Sequence, residues 1–379
     1  MSQPGRNRGL TRRRALQALA SAGALAALPR MLRAATSTDP GHKLGVALVG
    51  LGTYSSDLLA PALQLTRHCR LAGIVTGTPS KVEPWQRKYG IPDRNVYDYD
   101  SLDAIADNDD IDVVYVVTPN HLHKPLVLRV AAAGKHAWCE KPMAMNAAEA
   151  EAMIQACRDH RVRLAIGYRM RHEPNTRRLM AMAGERPYGR IVQVRADAGF
   201  LGWRDGHDGA WRLDPARGGG AMYDMGVYAL QGARYGTGLE PEWISARSEV
   251  LRPDVFRGVD ETMRFTLGFP GGVQGHCVTS FAQNVNLLHV GCERGWYELS
   301  PFLSYEGNAG RASDGTVFSP QLGKAPRLQA RQMDDDALAI LQGTDLIAPG
   351  EEGLRDMRVL DAAFASARKD GERVRIAQG

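Results

Sequence analysis

Between Leu44 and Gly167 the chain alternates short apolar or β-branched runs with helical stretches, and this rhythm restricts the possible fold more than any other feature. Strand candidates are Leu44–Val49, Leu71–Thr76, Val113–Thr118, His136–Cys139 and Leu164–Gly167. Helical segments fall between them near Ser56–Leu65, Lys81–Tyr89, Leu122–Ala133 and Ala147–Arg161. Strands that are apolar throughout must be covered on both faces, so the alternation predicts a doubly wound parallel sheet. Past about residue 170 the runs lengthen and alternate, at Ile191–Ala198, Trp243–Val250, Met263–Phe269, Val273–Phe281 and Leu287–Gly291. These predict a large, mostly antiparallel open sheet, with helices near 218–235, 332–343 and 351–369. The fold class is α/β, a parallel-sheet domain followed by an α+β domain. The last helix is a candidate to pack back on the first domain.

The formal charge of +5 would suit a nucleic-acid partner, but its distribution does not. Residues 1–38 hold seven arginines and no acid, and without them the charge is −2. Nucleic acid is therefore not an expected partner. The five cysteines are scattered, with no Cys-x-x-Cys pair, which fits neither a disulfide framework nor a zinc ribbon. His121, His123 and His136 lack a carboxylate set at ligand spacing, so no metal is expected.

The seven arginines belong to a leader. Arg12-Arg13-Arg14 precedes an Ala/Leu-rich stretch from Ala18 to Leu28, followed by small residues at Ala34 and Ala35. That stretch is shorter than the ~20 residues a bilayer span needs. The layout is similar to a twin-arginine (Tat) signal peptide over residues 1–35, with an amphipathic arm, an ordinary secretory signal or an uncleaved anchor as the other readings. It predicts export to the periplasm by the Tat machinery. Tat carries folded proteins, so a required cofactor would be bound before export.

Directly after the first strand comes Gly50-Leu51-Gly52-Thr53-Tyr54-Ser55, opening a helix. Glycines there let backbone approach a pyrophosphate at the positive helix end, the Rossmann arrangement, although a plain tight turn also uses them. The second strand ends in Val75-Thr76-Gly77-Thr78-Pro79-Ser80-Lys81, with hydroxyls and a cation but no carboxylate. A ribose phosphate suits those groups, so NADP is favoured over NAD; the other reading of Lys81 is a solvated helix-start residue. The domains are then a signal over 1–35, an NADP-binding domain over 36–167, and a substrate and oligomerisation domain over 168–379.

Three strings carry a family likeness: Thr118-Pro119-Asn120-His121-Leu122-His123, Cys139-Glu140-Lys141-Pro142, and Gly218 to Tyr228. Val96-Tyr97-Asp98-Tyr99, Ile166-Gly167-Tyr168-Arg169, Trp211-Arg212-Leu213 and Pro349-Gly350-Glu351-Glu352-Gly353 extend it. With the glycine turn, this ordered set resembles the Gfo/Idh/MocA oxidoreductases, and within them most the bacterial glucose–fructose oxidoreductases. The resemblance runs from about Leu44 to near Arg375. It implies oxidation of a glucose-like aldose to its lactone and reduction of a second, fructose-like sugar by one tightly retained NADP. It also implies a homodimer or homotetramer.

Lys141, at the end of the fifth strand, lies where doubly wound sheets place ligands, and its ammonium can stabilise charge on a reacting oxygen. A structural pair with Glu140 is the other reading. Asp224 and Tyr228 stand four apart on a predicted helix and share a face. The resemblance makes Tyr228 the general acid/base, aided by Lys141, and gives Asp224 a sugar hydroxyl. For the cofactor it implies Gly50, Gly52, Thr53, Tyr54, Thr76, Lys81, Tyr97, Pro119, Asn120, His123, Glu140, Lys141, Arg169, Trp211 and Arg212. Tyr168 joins Lys141, Asp224 and Tyr228 at the sugar. Asn120 also reads as a helix cap and Tyr97 as a core tyrosine. The Asp205-Gly206-His207-Asp208 loop reads as a solvated turn.

Only about ten residues, Ala35–Lys43, separate the expected cleavage region from the first strand, where the glucose–fructose enzymes carry a long proline-rich arm. Alternatives are an ordinary dehydrogenase or reductase with exchangeable NAD(P), a nicotinamide-dependent glycosidase, and a non-catalytic sugar-binding relative.

Overall fold

The computed structural model describes residues 42–203 and 210–378. The leader over 1–35 and the Asp205–Asp208 loop lie outside the described residues.

The first sheet contains β1 (Leu44–Val49), β2 (Cys69–Val75), β3 (Val96–Tyr97), β4 (Val113–Val116), β5 (His136–Cys139) and β6 (Leu164–Ile166). All pair in parallel, in the order β3-β2-β1-β4-β5-β6, with the order reversing beside β1. Side chains alternate across the sheet, which explains the continuous apolar runs. Val46, Leu48, Val113 and Tyr115 enter one core, whereas Ala47, Val49, Val114 and Val116 enter the other. Helices α1 (Ala60–Leu63, preceded by a π turn at Ser55–Leu59), α2 (Val82–Tyr89), α3 (His123–Ala132) and α4 (Ala147–Asp159) connect the strands. Helix α4 starts cleanly because the Asn146 side chain accepts from the Glu149 amide, satisfying one orphan N–H of the first turn.

Helix α5 (Pro174–Glu185), unsignalled by the sequence pattern, leads to the second sheet. It starts where buried Glu173 accepts from the Thr176 amide at 2.6 Å and Pro174 occupies the first helical position. The second sheet comprises β7 (Ile191–Gly199), β8 (Trp243–Glu249), β9 (Thr262–Gly268), β10 (Gln274–Ser280), β11 (Val285–Cys292), β12 (Gly295–Leu299), β13 (Gly310–Ala312), β14 (Val317–Phe318) and β15 (Val374–Arg375). Its order is β14-β13-β12-β11-β7-β10-β9-β8-β15, antiparallel except where β7 and β10 run parallel. Helix α6 (Val227–Thr237) covers its inner face. The α/β class with a parallel and a mostly antiparallel sheet is as expected.

Helices α7 (Arg327–Gln342) and α8 (Gly350–Ala367) join the two parts. Helix α8 packs on both α4 and β8, and the Ile166 amide donates to the Ala348 carbonyl at 2.8 Å. Helix α7, assigned from sequence to the second domain, also covers the parallel sheet. Its Met333, Ala337 and Ile340 share a core with Val46, Leu48 and Ile74, and Asp334 accepts from the Arg67 and His68 amides. Burying Met333 and Ile340 contributes about 2 kcal/mol each. The parallel-sheet layer thus draws on both ends of the chain.

Candidate active site

At the carboxyl edge of β1 the backbone turns sharply at Gly50, whose φ of 89° favours glycine. A Cβ there would stand 2.4 Å from the Val117 carbonyl oxygen. Buried Ser55, in place of a third glycine, ties the turn by donating its hydroxyl to the Gly50 carbonyl at 2.6 Å. Gly52 differs: a Cβ there would meet no protein atom within 4 Å. The chain's own packing does not demand a glycine at that point, whereas close approach of a phosphate group does. The residues present therefore fit a dinucleotide. Thr53 is exposed and Tyr54 half-buried as the turn enters the π turn. Burial, then Glu140, pushes the Tyr54 phenol well above its ordinary value.

At the end of β2, the Thr76 hydroxyl accepts from the Thr78 amide at 3.1 Å. The Lys81 ammonium reaches back to the Leu51 carbonyl at 2.7 Å, which places a cation over the glycine turn rather than loose in solvent. Tyr97, expected at the cofactor or in the core, is half-buried on the edge strand. Its hydroxyl accepts from Asn108 at 2.7 Å, within a cluster that includes Asn95 and Asp110.

The loops after β4 and β5 are strapped together. Pro119 starts a single helical turn; Asn120 does not cap it but donates to the Gly218 carbonyl at 2.8 Å, joining the two domains. His123 corrects an expectation. Its ring is fully buried, with Nδ1 2.9 Å from the Pro142 carbonyl oxygen and Nε2 2.9 Å from that of Thr118. Burial pushes its pKa down, and neither ring face nor nitrogen is free for a cofactor. It holds the loop that follows Lys141. Both Glu140 oxygens are likewise engaged: Tyr115 donates its hydroxyl at 2.6 Å and the Lys141 amide donates at 3.2 Å.

Lys141 pairs with Asp224 rather than with Glu140. Its ammonium lies 2.8 Å from the Asp224 carbonyl oxygen, 3.2 Å from Oδ1 and 4.8 Å from the Tyr228 ring centre. Arg212, stacked on Trp211 at 4.4 Å, donates to the other Asp224 carboxylate oxygen at 2.9 Å. Burial alone would raise the Asp224 carboxyl, but Lys141 and then Arg212 hold it down to about 2. Burial would lower the Lys141 ammonium; Asp224 and then Tyr228 outweigh it and leave it above its ordinary value. At neutral pH the pair is fully charged.

The cation at the Tyr228 oxygen is not Lys141. Arg169 Nε donates to that oxygen at 3.3 Å, while its terminal nitrogens donate to the Leu303 and Ser304 carbonyls at 2.8 and 3.2 Å. Lys141 is turned toward Asp224, and the guanidinium is the cation within hydrogen-bond reach of the phenol oxygen. Tyr168 is a second correction. Its ring is 1% exposed, and Asp356, Tyr235 and Glu352 are the groups that perturb its phenol after burial itself. Tyr168 stands at the N-cap of the single helical turn Arg169–His172 that follows β6; Arg169 reaches Tyr228 while the Tyr168 ring is buried in the core.

Two residues of the site gave no sequence signal. Tyr305, in the irregular loop between β12 and β13, stacks on Arg169 at 4.4 Å. Asp260 accepts from the Met222 amide at 2.6 Å and so fixes the start of the π turn Met222–Gly226 that carries Asp224. Gly220, with φ of 107°, is required there because a Cβ would meet Asp260 Oδ1 at 2.2 Å. Burial pushes the Asp260 carboxyl up to about 6. A carboxyl raised above its ordinary ~3.9 favours the folded state at low pH and loses that contribution as pH rises through about 6. Comparing Asp260→Asn with wild type by urea unfolding, we expect the variant to gain about 1–3 kcal/mol relative to wild type between pH 4 and pH 7. A difference that does not change with pH would remove this role for the carboxyl.

Residues 44–168 match a family described as "Oxidoreductase family, NAD-binding Rossmann fold", and residues 176–298 match the GFO/IDH/MocA C-terminal domain. The chain is 28% identical over 340 residues to a D-xylose 1-dehydrogenase [NADP(+)] of Haloarcula marismortui, covering 88% of this chain and 92% of that protein. It is 30% identical over 256 residues to a trans-1,2-dihydrobenzene-1,2-diol dehydrogenase of Sus scrofa, covering 66% and 72%. Among solved structures it is similar to aldose-aldose oxidoreductase from Caulobacter crescentus complexed with glycerol, at 38% identity and a TM-score of 0.83. That match covers 88% of this chain and all of the other.

Proposed function

The chain belongs to the Gfo/Idh/MocA oxidoreductase family, and from that premise we propose that it is a periplasmic, NADP-dependent sugar oxidoreductase. In this reading it oxidises an aldose to its lactone and reduces a second sugar with the same retained cofactor. The observation that carries it is one cluster in which Lys141 bonds Asp224 and lies 4.8 Å from the Tyr228 ring centre, while Arg169 reaches the phenol oxygen at 3.3 Å. The names of the similar proteins, an NADP-dependent xylose dehydrogenase and an aldose–aldose oxidoreductase, support the substrate class.

The turn at Gly50 and Gly52 and the Lys81 ammonium would hold the cofactor, with the missing acid at the end of β2 favouring a ribose phosphate. When bound, the nicotinamide supplies a reversible hydride acceptor. The chain's residues manage the oxygen and its proton. Lys141 donates a hydrogen bond to the sugar O1 and stabilises its developing negative charge. The O1–H proton passes to the Tyr228 oxygen as the C1–H electron pair departs with its hydrogen. Arg169 stabilises that oxygen when it lacks a proton. In the second half-reaction Tyr228 returns the proton to the carbonyl oxygen of the acceptor sugar, so one oxidation and one reduction balance. Asp224 keeps Lys141 charged and aimed.

The exchangeable-cofactor reading is favoured by one observation, the short stretch between the leader and β1. One preparation separates the two. Protein made with its leader should appear in the periplasmic fraction, run as a dimer or tetramer on sizing, and show nicotinamide absorbance after dialysis. It should turn over a pair of aldoses without added NADP. Recovery only from the cytoplasm defeats the export proposal, and a strict need for added NADP after dialysis defeats retention.

A further inference from the structure

Tyr305 is not explained by core packing. It belongs to none of the three apolar clusters, is 40% exposed, and makes no hydrogen bond through its hydroxyl among the described residues. The ring is nevertheless held firmly. The Arg169 guanidinium lies 4.4 Å from its centre and donates to the carbonyls of Leu303 and Ser304, the two residues before it. Asn286 accepts from the Phe302 and Leu303 amides at 2.8 and 3.0 Å, and Asn308 accepts from the Ser304 amide at 3.1 Å. Five hydrogen bonds thus lock a loop whose most exposed apolar group faces the site.

We propose that Tyr305 is the specificity-determining wall of the sugar site, its ring covering the C–H face of a pyranose and its hydroxyl bonding a ring substituent. This rests on the sugar-oxidoreductase reading above. Sugars present alternating apolar and hydroxyl surfaces, which an aromatic ring with a polar tip matches. Arg169 occupies one side of the ring, leaving the rest for a ligand. The same guanidinium touches Tyr228, at 5.2 Å to its ring centre, so Arg169 fixes the spacing between the wall and the phenol that handles the proton. The wall therefore selects substrates that are cyclic.

The test uses the mature protein and three variants, Tyr305→Phe, Tyr305→Leu and Tyr305→Ala. Reduction of the bound NADP by D-xylose, read as rate against sugar concentration, is the ring-substrate assay, and reoxidation of the bound NADPH by glyceraldehyde, which cannot form a pyranose, is the acyclic one. NADP binding is followed by fluorescence. For Tyr305→Ala the KM for xylose should rise about tenfold, with kcat within about threefold. Glyceraldehyde reduction and NADP affinity should stay within about twofold. Tyr305→Leu keeps bulk without the aromatic face, should show the same selective rise in xylose KM, and replaces the alanine variant if that one folds poorly. Tyr305→Phe should show less than half the KM increase. An unchanged xylose KM, equal losses on both substrates, or weakened NADP binding overturns the inference while leaving the function standing. A wild-type protein inert on every aldose overturns the functional reading itself, and the wall with it.

Discussion

Replacing Lys141 with methionine is expected to lower aldose turnover by about a thousandfold or more, with NADP affinity and fold little changed. The ammonium sits in a site where only 13% of its side chain is exposed. A donor there acts in a low dielectric and is already aimed, so its loss costs far more than it would in water. Protonation is not in question: Asp224 outweighs burial and holds the ammonium above its ordinary value. The proposed role for Lys141 is therefore that of a fixed donor rather than a base. Methionine keeps the volume and removes the charge. The Asp224 carboxylate is not orphaned, because Arg212 still donates at 2.9 Å, and this is why the variant should fold. Single-turnover rates and circular dichroism check the two halves of the expectation. Retention of a tenth or more of wild-type turnover would remove Lys141 from the chemistry.

The site was legible where side chains sit at the ends of strands, and much less so elsewhere. Gly50 follows β1 directly and Lys141 comes two residues after β5, so strand ends read from apolar runs place both at the same edge of the sheet. Asp224 and Tyr228 were legible as a helical pair, and both reach Lys141 although the segment begins as a π turn. Strand pairing was only partly legible. The parallel β7–β10 contact joins segments about eighty residues apart, and no local pattern in either strand encodes its partner. The same limit hid α7, whose apolar stripe says that it covers something but not that it covers β1 and β2.

Direction was the other loss. Tyr168 and Arg169 are neighbours in sequence with opposite fates, and the motif containing both could not say which faced inward. His123 was misread because a histidine after a ligand-binding loop looks available, whereas here two backbone carbonyls take both nitrogens. Tyr305 and Asp260 lie in irregular connections without periodicity. Their importance comes from what folds against them: Arg169 for the first and the Met222 amide for the second.

Substitution of Tyr228 by phenylalanine should slow sugar oxidation and sugar reduction together, by about a hundredfold to ten-thousandfold. Both directions depend on one proton passing through the same oxygen, so a loss confined to one direction would contradict the assignment. The ring remains to pack beside Lys141 and Arg169, so the KM for xylose should change little. Removing the hydroxyl leaves Arg169 Nε without its 3.3 Å partner, but the guanidinium keeps its bonds to Leu303 and Ser304, which limits structural damage. A further readout distinguishes chemistry from disturbance. With proton transfer impaired, C–H cleavage becomes rate-limiting, and D-xylose deuterated at C1 should show a larger isotope effect in the variant than in wild type. Lys141→Met should raise the isotope effect in the same way, because both groups act on the oxygen of the breaking bond. A variant that is slow but shows no increase would have lost a step other than the one in which the Lys141 ammonium and Tyr228 phenol meet.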